Sequence, residues 1–257
     1  MSAPYRHMDL ADLARSLRGM PGKVGPAPVT RGILIDWLVP VYDPMCWVLG
    51  AGLEMRRRTL SVAALKPGDR VLDVGCGTGV LTRLAAEAVG PDGIAIGIDP
   101  GPGMIETARH NAACKNSRAA FDLGVIERLE FDDDCFDVVL SSFMLHHLPL
   151  VVRRAGLGED WHVLKPGGRL VIIDFDPARP LARAMIWICG AISTHDGKEV
   201  LHQASDPVTL LDEAGYKNAV VSGSWLGTAT LWRAWKPESV SSLNRPRQQT
   251  GRGGERL

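Results

Sequence analysis

Three glycines at alternate positions, Gly75, Gly77 and Gly79, are the strongest chemical signal in the chain. They follow a short β-branched run and precede a helix-forming stretch at 80–89. Glycine lets the backbone turn sharply from strand to helix and approach a ligand closely, because no Cβ intervenes. The exposed N–H groups at the start of the helix would face that ligand. This spacing predicts a nucleoside-binding loop.

An acidic residue, Asp99, ends the next predicted strand, 20 residues after Gly79. A carboxylate at that place accepts hydrogen bonds from ribose hydroxyls. The fingerprint of NAD-binding proteins requires Gly-x-Gly-x-x-Gly, whereas Val80 stands where its last glycine would be. The pattern therefore disfavours NAD, and an NAD-binding reductase is kept only as the last alternative.

Several segments resemble the motifs of class I S-adenosyl-L-methionine (SAM) dependent methyltransferases. The three ordered matches are the strand and glycine loop at 71–79, Phe136–Val139, and Leu164–Leu170. In addition, Tyr42–Met45 resembles the Tyr-Asp entry segment of the ubiquinone/menaquinone-type small-molecule methyltransferases, although Cys46 replaces the usual Asn. The resemblance implies SAM as the cofactor and methyl transfer as the activity.

The resemblance also assigns cofactor contacts, mostly at the tips of successive strands. Asp73 would hold the amino end of SAM and Thr78 its carboxylate, while Ser141 would touch the methionine part. Asp99 would accept the ribose hydroxyls. The remaining expected contacts close the pocket or flank the adenine: Tyr42, Pro100 and Met104.

One segment departs from the family pattern. Relatives often carry Gly-Asp-Ala-Glu after the third strand, where the Asp accepts a hydrogen from the adenine amino group. Here the segment reads Gly124-Val125-Ile126-Glu127. Val125 has no acceptor, so Val125 and Ile126 are expected beside an adenine that backbone groups, water or Asp122 would hold.

Methyl transfer requires a positioned nucleophile and, for some acceptors, a base that removes its proton. His146 and His147 follow the fourth predicted strand and could accept a proton near neutral pH. His195, which precedes an aspartate, is a second candidate base, and Asp174 and Asp176 come third. Hydrogen bonding that orders the loop is the alternative role of the paired histidines. Without further ligands they predict no metal site.

Composition and charge limit the partners of the chain. The 29 basic and 29 acidic residues give a net charge of zero, which disfavours a nucleic-acid substrate. The five cysteines include no Cys-x-x-Cys pair and fit a reducing compartment. We see no secretory signal and no membrane-spanning stretch, so we expect a cytoplasmic protein, with peripheral membrane contact left open.

Predicted strands and helices that would position these residues alternate along the chain. We predict strands at 70–74, 94–99, 119–123, 137–142, 169–174, 218–225 and 228–236, and helices near 80–89, 103–114, 150–164 and 206–214. This alternation implies a mostly parallel sheet covered on both faces. The link Leu226-Gly227 is too short for a crossover helix, so the last strand must run antiparallel. Together with the resemblance, the pattern predicts a Rossmann-like α/β fold with a doubly wound seven-stranded sheet of order 3-2-1-4-5-7-6.

Around this sheet we expect a methyltransferase domain at 31–237, preceded by a flexible N-terminal segment at 1–30 and followed by a disordered tail at 238–257. Two apolar, tryptophan-containing stretches leave the sheet near the carboxyl ends of strands, where ligands bind. They are an N-terminal lid at 33–60 and a substrate-side insertion at 177–205. The arginine run within the lid is expected to be a solvated helix face, with a phosphate site as the alternative.

The combined prediction is a SAM-dependent methyltransferase with a small, largely apolar acceptor, because the two tryptophan-containing stretches would roof an apolar pocket. A quinone-like compound, an aromatic biosynthetic intermediate and a lipid all fit this description. Two alternatives remain: a phospholipid or amine N-methyltransferase at a membrane surface, and a SAM-binding protein without catalytic activity. The methylated atom (O, C, N or S) and the oligomeric state stay open.

Overall fold

The fold is organised around a seven-stranded sheet. The computed structural model describes residues 9–18, 25–176, 178–184, 186 and 206–238. The strands are β1 (Arg70–Val74), β2 (Ile94–Asp99), β3 (Ala120–Leu123), β4 (Phe136–Ser142), β5 (Leu164–Phe175), β6 (Lys217–Trp225) and β7 (Ala229–Trp235). The principal α-helices are α1 (Leu10–Arg18), α2 (Val39–Val48), α3 (Leu53–Ala63), α4 (Val80–Val89), α5 (Pro102–Cys114), α6 (Leu150–Val163) and α7 (Pro207–Glu213).

The strand order is β3-β2-β1-β4-β5-β7-β6, which confirms the predicted doubly wound α/β fold. Strands β1 to β5 pair in parallel. Strand β7 lies between β5 and β6 and is antiparallel to both, as the short link before it requires. The carboxyl ends of β1, β2 and β4 therefore meet at one edge, where ligands bind in open α/β sheets.

Strand β5 begins five residues before its predicted start at Arg169. The segment 165–168, outside the predicted strands, is part of β5. It is held at the end of β7, because the Gly167 N–H donates to the Lys236 carbonyl and the Lys236 N–H donates to the Gly168 carbonyl. Leu164 also pairs with Phe136 of β4, across a register shift.

Helix α1 differs from the expected flexible N-terminal segment. Leu10, Leu13, Ala14 and Leu17 are buried and belong to the same hydrophobic cluster as the interior of β2. Their spacing places them on one face of a helix, and that face packs against the sheet beside β2 and β3. Residues 10–18 are therefore part of the folded domain. Residues 1–8 and 19–24, and the predicted tail from 239 onward, lie outside the described residues.

The predicted lid at 33–60 forms a short 3-10 helix (Asp36–Leu38) followed by α2 and α3. The predicted insertion at 177–205 lies outside the described residues except for 178–184 and 186. In the part of the chain that the structure describes, none of the helices has the length and apolar character that crossing a bilayer requires.

Candidate active site

The glycine loop connects β1 to α4 with three positive φ angles, 74° at Gly75, 53° at Gly77 and 76° at Gly79. A Cβ on Gly75 would lie 2.5 Å from the Met144 side chain, and one on Gly79 would lie 2.5 Å from the Phe121 ring. Gly79 therefore allows close packing of α4 on the sheet, whereas Gly75 lines a cavity above the strand ends. The alternating glycines thus have separate structural functions.

Asp99 connects the glycine loop to the start of α5. Its Oδ2 accepts a hydrogen bond from the Gly77 N–H at 3.0 Å, and its Oδ1 accepts one from the Gly101 N–H at 2.8 Å. Burial raises the pKa of Asp99 to about 6. Asp99 also lines the cavity. Its carboxylate therefore organises the loop in addition to facing a ligand, a second function that the sequence did not reveal.

Asp73 is buried beneath the same loop. Its Oδ2 accepts a hydrogen bond from the Thr82 hydroxyl at 2.6 Å, while its Oδ1 is buried without a hydrogen-bond partner among the described residues. Burial raises the pKa of Asp73 to about 6. An unsatisfied buried carboxylate oxygen is costly, and an ammonium group from a ligand would satisfy it.

A cavity at the carboxyl ends of β1 and β2 brings together the residues expected around the adenine. It is lined by Tyr42, Gly75, Asp99, Pro100, Met104, Val125 and Ile126. Asp122 is outside the lining of this cavity and forms an ion pair with Arg109, in which Oδ1 lies 3.1 Å from Nη2. Of the alternatives for holding the adenine, backbone groups of 124–127 and water therefore fit the cavity better than Asp122.

Thr78 and Ser141, two other predicted contacts, are outside the set that lines this cavity. The Thr78 hydroxyl donates to Asp43 Oδ1 at 2.6 Å, so this hydroxyl is bonded to the lid. Ser141 is buried, and its Oγ has no hydrogen-bond partner within the described part of the chain.

The lid is hydrogen-bonded to the residues around the cavity by side chains that the sequence did not single out. Helix α5 begins at Gly101 and Pro102 without a capping side chain of its own. Asp36 supplies the cap, accepting hydrogen bonds from the N–H groups of Gly103 and Met104 at 3.1 and 3.0 Å. The missing cap at the start of α5 is the signal that could have indicated such a partner.

A second cavity, of about 380 Å³, lies between the lid and the ends of β4 to β6. Its apolar lining includes Trp37, Leu38, Met45, Leu49, Phe175 and Trp225. Four residues line both cavities: Ile35, Tyr42, Phe143 and His147. Phe143 has a φ of 52°, which L residues rarely adopt, so backbone strain occurs in this common wall.

His146 lines the second cavity and is held by Asp174 at the end of β5. The His146 Nδ1 lies 2.6 Å from Asp174 Oδ1, and the His146 backbone N–H donates to Asp174 Oδ2 at 3.0 Å. Burial alone would raise the pKa of Asp174, but the opposite charge of His146 and these hydrogen bonds lower it. Asp174 is therefore ionised at neutral pH and fixes the imidazole through Nδ1.

His147 differs from its neighbour and is only half-buried as a whole residue. Its Nδ1 has no hydrogen-bond partner among the residues described. Burial, followed by the charge of His146, lowers the pKa of His147 well below its usual range. Of the three predicted histidine bases, His146 thus has a carboxylate partner, His147 lacks one among these residues, and His195 lies outside the described residues.

Comparisons with known proteins show the family of the chain. A family model described as a methyltransferase domain matches residues 65–221, more than half of the chain. A demethylmenaquinone methyltransferase of Symbiobacterium thermophilum is 34% identical over an alignment of 171 positions, which covers 63% of this chain and 66% of that protein. The chain belongs to the SAM-dependent methyltransferases.

One further relative supports the relationship, and a solved structure has the same fold. The ubiquinone/menaquinone biosynthesis C-methyltransferase UbiE of Ectopseudomonas mendocina is 31% identical over an alignment of 218 positions, which covers 76% of the methyltransferase described here and 84% of the relative. A SAM-dependent methyltransferase from Aquifex aeolicus has the same fold, with a TM-score of 0.61 and 20% identity over 79% of this chain and 99% of that one.

The cofactor of this methyltransferase is SAM, and the residues beside the glycine loop suit it. Gly75 lines the cavity, Asp99 presents a carboxylate there, and the buried Asp73 Oδ1 is an acceptor without a hydrogen-bond partner among the described residues. In this methyltransferase Asp99 would hold the ribose, and Asp73 the methionine ammonium group. Bound there, SAM supplies a methyl group on a positively charged sulfur.

Proposed function

We propose that the enzyme methylates a quinone-like acceptor, a hydroxylated aromatic compound in its reduced form. The observation that carries this proposal is His146, which lines the largely apolar second cavity and is paired with the buried Asp174. An aromatic ring suits the aromatic walls of that cavity. Methylation of the ring's hydroxyl oxygen releases the hydroxyl proton, whereas methylation of an adjacent carbon begins with loss of that proton and ends with loss of the carbon's own hydrogen as a proton, which restores the hydroxyl. The names of the two curated relatives, both quinone methyltransferases, support the same acceptor class.

The chain's own residues have three functions in the proposed reaction. Trp37, Phe175 and Trp225 would bind the acceptor ring and exclude water. The lid would set the acceptor against the common wall, so that its nucleophilic atom lies in line with the methyl group. His146 would accept the acceptor's proton at Nε2, because Nδ1 is bonded to Asp174.

Asp174 would make His146 a more effective base. Its ionised carboxylate holds the ring in one orientation and stabilises the imidazolium that forms when the proton arrives. The Asp174 carboxylate is itself fixed by the backbone N–H groups of His146 and Phe175 at 3.0 and 2.7 Å. We therefore assign Asp174 as a positioning residue for the base.

Exposed apolar side chains near the cavity suit an acceptor with an apolar tail. Trp37 and Leu49 line the cavity but are 62% and 49% exposed, and Trp47 and Val48 beside them are 73% and 75% exposed. These side chains would contact the tail of the acceptor or the surface of the bilayer that holds it.

We place the enzyme in the cytoplasm, since the four described cysteines are thiols.

The proposal is tested by incubating the full chain with SAM carrying a deuterated methyl group. One sample contains a chemically reduced, prenylated naphthoquinone, and a matched sample contains the same compound with both hydroxyls blocked. We expect a labelled product by mass spectrometry in the first sample alone. Labelling of phosphatidylethanolamine vesicles in place of the quinol would support the N-methyltransferase alternative. Binding of SAM without transfer to either acceptor would also contradict the proposal.

A further inference from the structure

Arg56 is a buried cation in the active site that the cofactor and acceptor assignments above do not use. It lies on α3, is only 8% exposed and lines the acceptor cavity. The next two residues, Arg57 and Arg58, are exposed, so the predicted solvated face holds for them but is wrong for Arg56. Among the described residues, the Arg56 guanidinium forms neither a side-chain hydrogen bond nor an ion pair.

A buried guanidinium without an anionic partner is costly, so a ligand anion is the expected partner. Arg56 lies beside the cofactor site, because it lines the acceptor cavity together with Tyr42, one of the four residues that line both cavities. Its charge is also near Asp73: burial raises the pKa of Tyr42 and of Asp73, and the Arg56 charge opposes that effect at both. Asp73 Oδ1, which has no hydrogen-bond partner among the described residues, is thus suited to a cationic group of the ligand. The nearby Arg56 is suited to an anionic group of the same ligand.

Thr78, the residue first expected to bind the methionine carboxylate, is poorly suited to that function. Its hydroxyl already donates to the Asp43 carboxylate at 2.6 Å. A second carboxylate at this hydroxyl would compete for the same hydrogen and would be repelled by Asp43. The carboxylate therefore needs another partner.

We propose that Arg56 binds the methionine carboxylate of SAM, while Asp73 binds the ammonium group of the same amino acid moiety. The two side chains would recognise the two opposite charges of that moiety at the boundary between the cofactor and acceptor cavities. A guanidinium donates two parallel hydrogen bonds to a carboxylate, which fixes its orientation as well as adding affinity. Arg56 would thereby hold the sulfur end of the cofactor in place beside the acceptor.

The test compares SAM with decarboxylated SAM, which lacks only the carboxylate, by calorimetry in the absence of acceptor. We expect wild-type protein to bind SAM about 10–100-fold more tightly than the decarboxylated compound. Arg56→Met should lose this preference by weakening SAM alone, and Arg56→Lys should recover part of it. Arg57→Met, on the same helix but exposed, should behave as wild type.

Two outcomes would overturn the inference. Equal weakening of both compounds by Arg56→Met would assign Arg56 a structural role, because the lost affinity would not depend on the carboxylate. An unchanged SAM affinity would assign Arg56 to the acceptor or to no ligand. The ratio of the two affinities is measured within one preparation, so partial unfolding of a variant does not alter it. The measurement also does not depend on which acceptor is methylated.

Discussion

The two cavities of the active site are built in different ways. The cofactor cavity takes the largest share of its residues from three short segments, 74–75, 99–104 and 124–127, each next to the end of a strand, and the rest from 30–42 and from residues after β4. The acceptor cavity takes its largest share from 35–56 of the lid, and the rest from residues at and after the end of β4, the end of β5 and the hairpin between β6 and β7. Strand ends thus specify one side of the first cavity locally, whereas the second cavity depends mainly on the tertiary position of the lid.

The cavities also differ in how their charges are paired. On the cofactor side, burial raises the pKa of Asp73 and of Asp99 to about 6, and Asp73 Oδ1 lacks a partner within the described chain. On the acceptor side, the His146 partner lowers the pKa of Asp174 in a pair that is already formed. The cofactor side therefore completes its hydrogen bonds with a ligand, while the acceptor side has a preorganised base.

His146→Ala is expected to have the largest effect on activity, and to act through the acceptor cavity alone. Loss of the base should lower kcat by about 10²–10⁴ on a hydroxylated acceptor, because proton removal loses its catalyst. The affinity for S-adenosylhomocysteine, measured by calorimetry, should stay nearly unchanged. His147→Ala is the matched control and should cost roughly tenfold or less, through positioning.

An equal loss of turnover in His146→Ala and His147→Ala would argue that the pair only orders the loop. Near-full activity of both variants on an authentic hydroxyl acceptor would exclude the histidine base. Asp176, another base that the sequence suggested, already accepts a hydrogen bond from the Thr230 hydroxyl at 2.8 Å.

On the cofactor side, by contrast, we expect a substitution to weaken the binding of SAM. Asp99→Ala should weaken SAM binding by about 1.5–3 kcal/mol, since it removes a charged acceptor from the ribose hydroxyls and from the loop. Asp99→Asn, which keeps one oxygen, should have a smaller effect. Titration calorimetry gives both values, and an unchanged affinity in Asp99→Ala would show that the ribose binds elsewhere.

The pH dependence of cofactor binding should also belong to the cofactor side alone. Asp73 and Asp99 have pKa values of about 6 without ligand, and the ammonium and hydroxyl donors of SAM would lower both in the complex. Binding then releases protons below pH 6, so affinity should be constant above that pH and fall by up to about tenfold per pH unit and group as pH decreases. His146→Ala should leave this profile unchanged. A flat profile between pH 5 and pH 7 would contradict the assignment.

The smallest effect is expected at the edge of the acceptor cavity. Trp37→Ser should raise the KM for the acceptor by about 3–10-fold, because a half-exposed indole contributes part of its apolar contact area. The affinity for S-adenosylhomocysteine should not change. Steady-state kinetics at saturating SAM would measure the effect, and a change in kcat alone would argue against a binding role for Trp37.

The same contrast explains what could be predicted from the sequence. Most strand bounds and the antiparallel last strand follow from local spacing, whereas the sheet order and the residues expected around the adenine follow from the resemblance to the methyltransferases, whose motifs stand at strand ends. The apolar residues of α1 have helical spacing, but their position on the sheet depends on contacts with β2 and β3. The Asp36 cap on α5 joins residues 67 positions apart, a distance over which sequence spacing carries no signal.

The acceptor side was less predictable for the same physical reason. The sequence offered three candidate histidines, and only the position of β5 places Asp174 2.6 Å from the His146 ring. Arg56 is one of three adjacent arginines. The position of α3 places Arg56 in the lining of the acceptor cavity and leaves Arg57 exposed. In both cases neighbouring residues of the same type differ only through tertiary contacts.

A crystal structure of the protein with S-adenosylhomocysteine and a reduced naphthoquinone would test most directly that methyl transfer occurs at the wall common to both cavities. We predict that the cofactor sulfur and the acceptor ring lie on the two sides of Ile35, Tyr42, Phe143 and His147. The His146 imidazole should lie within about 2.6–3.2 Å of the acceptor hydroxyl, or one water away. An acceptor bound outside the second cavity, or a sulfur facing away from that wall, would contradict the account.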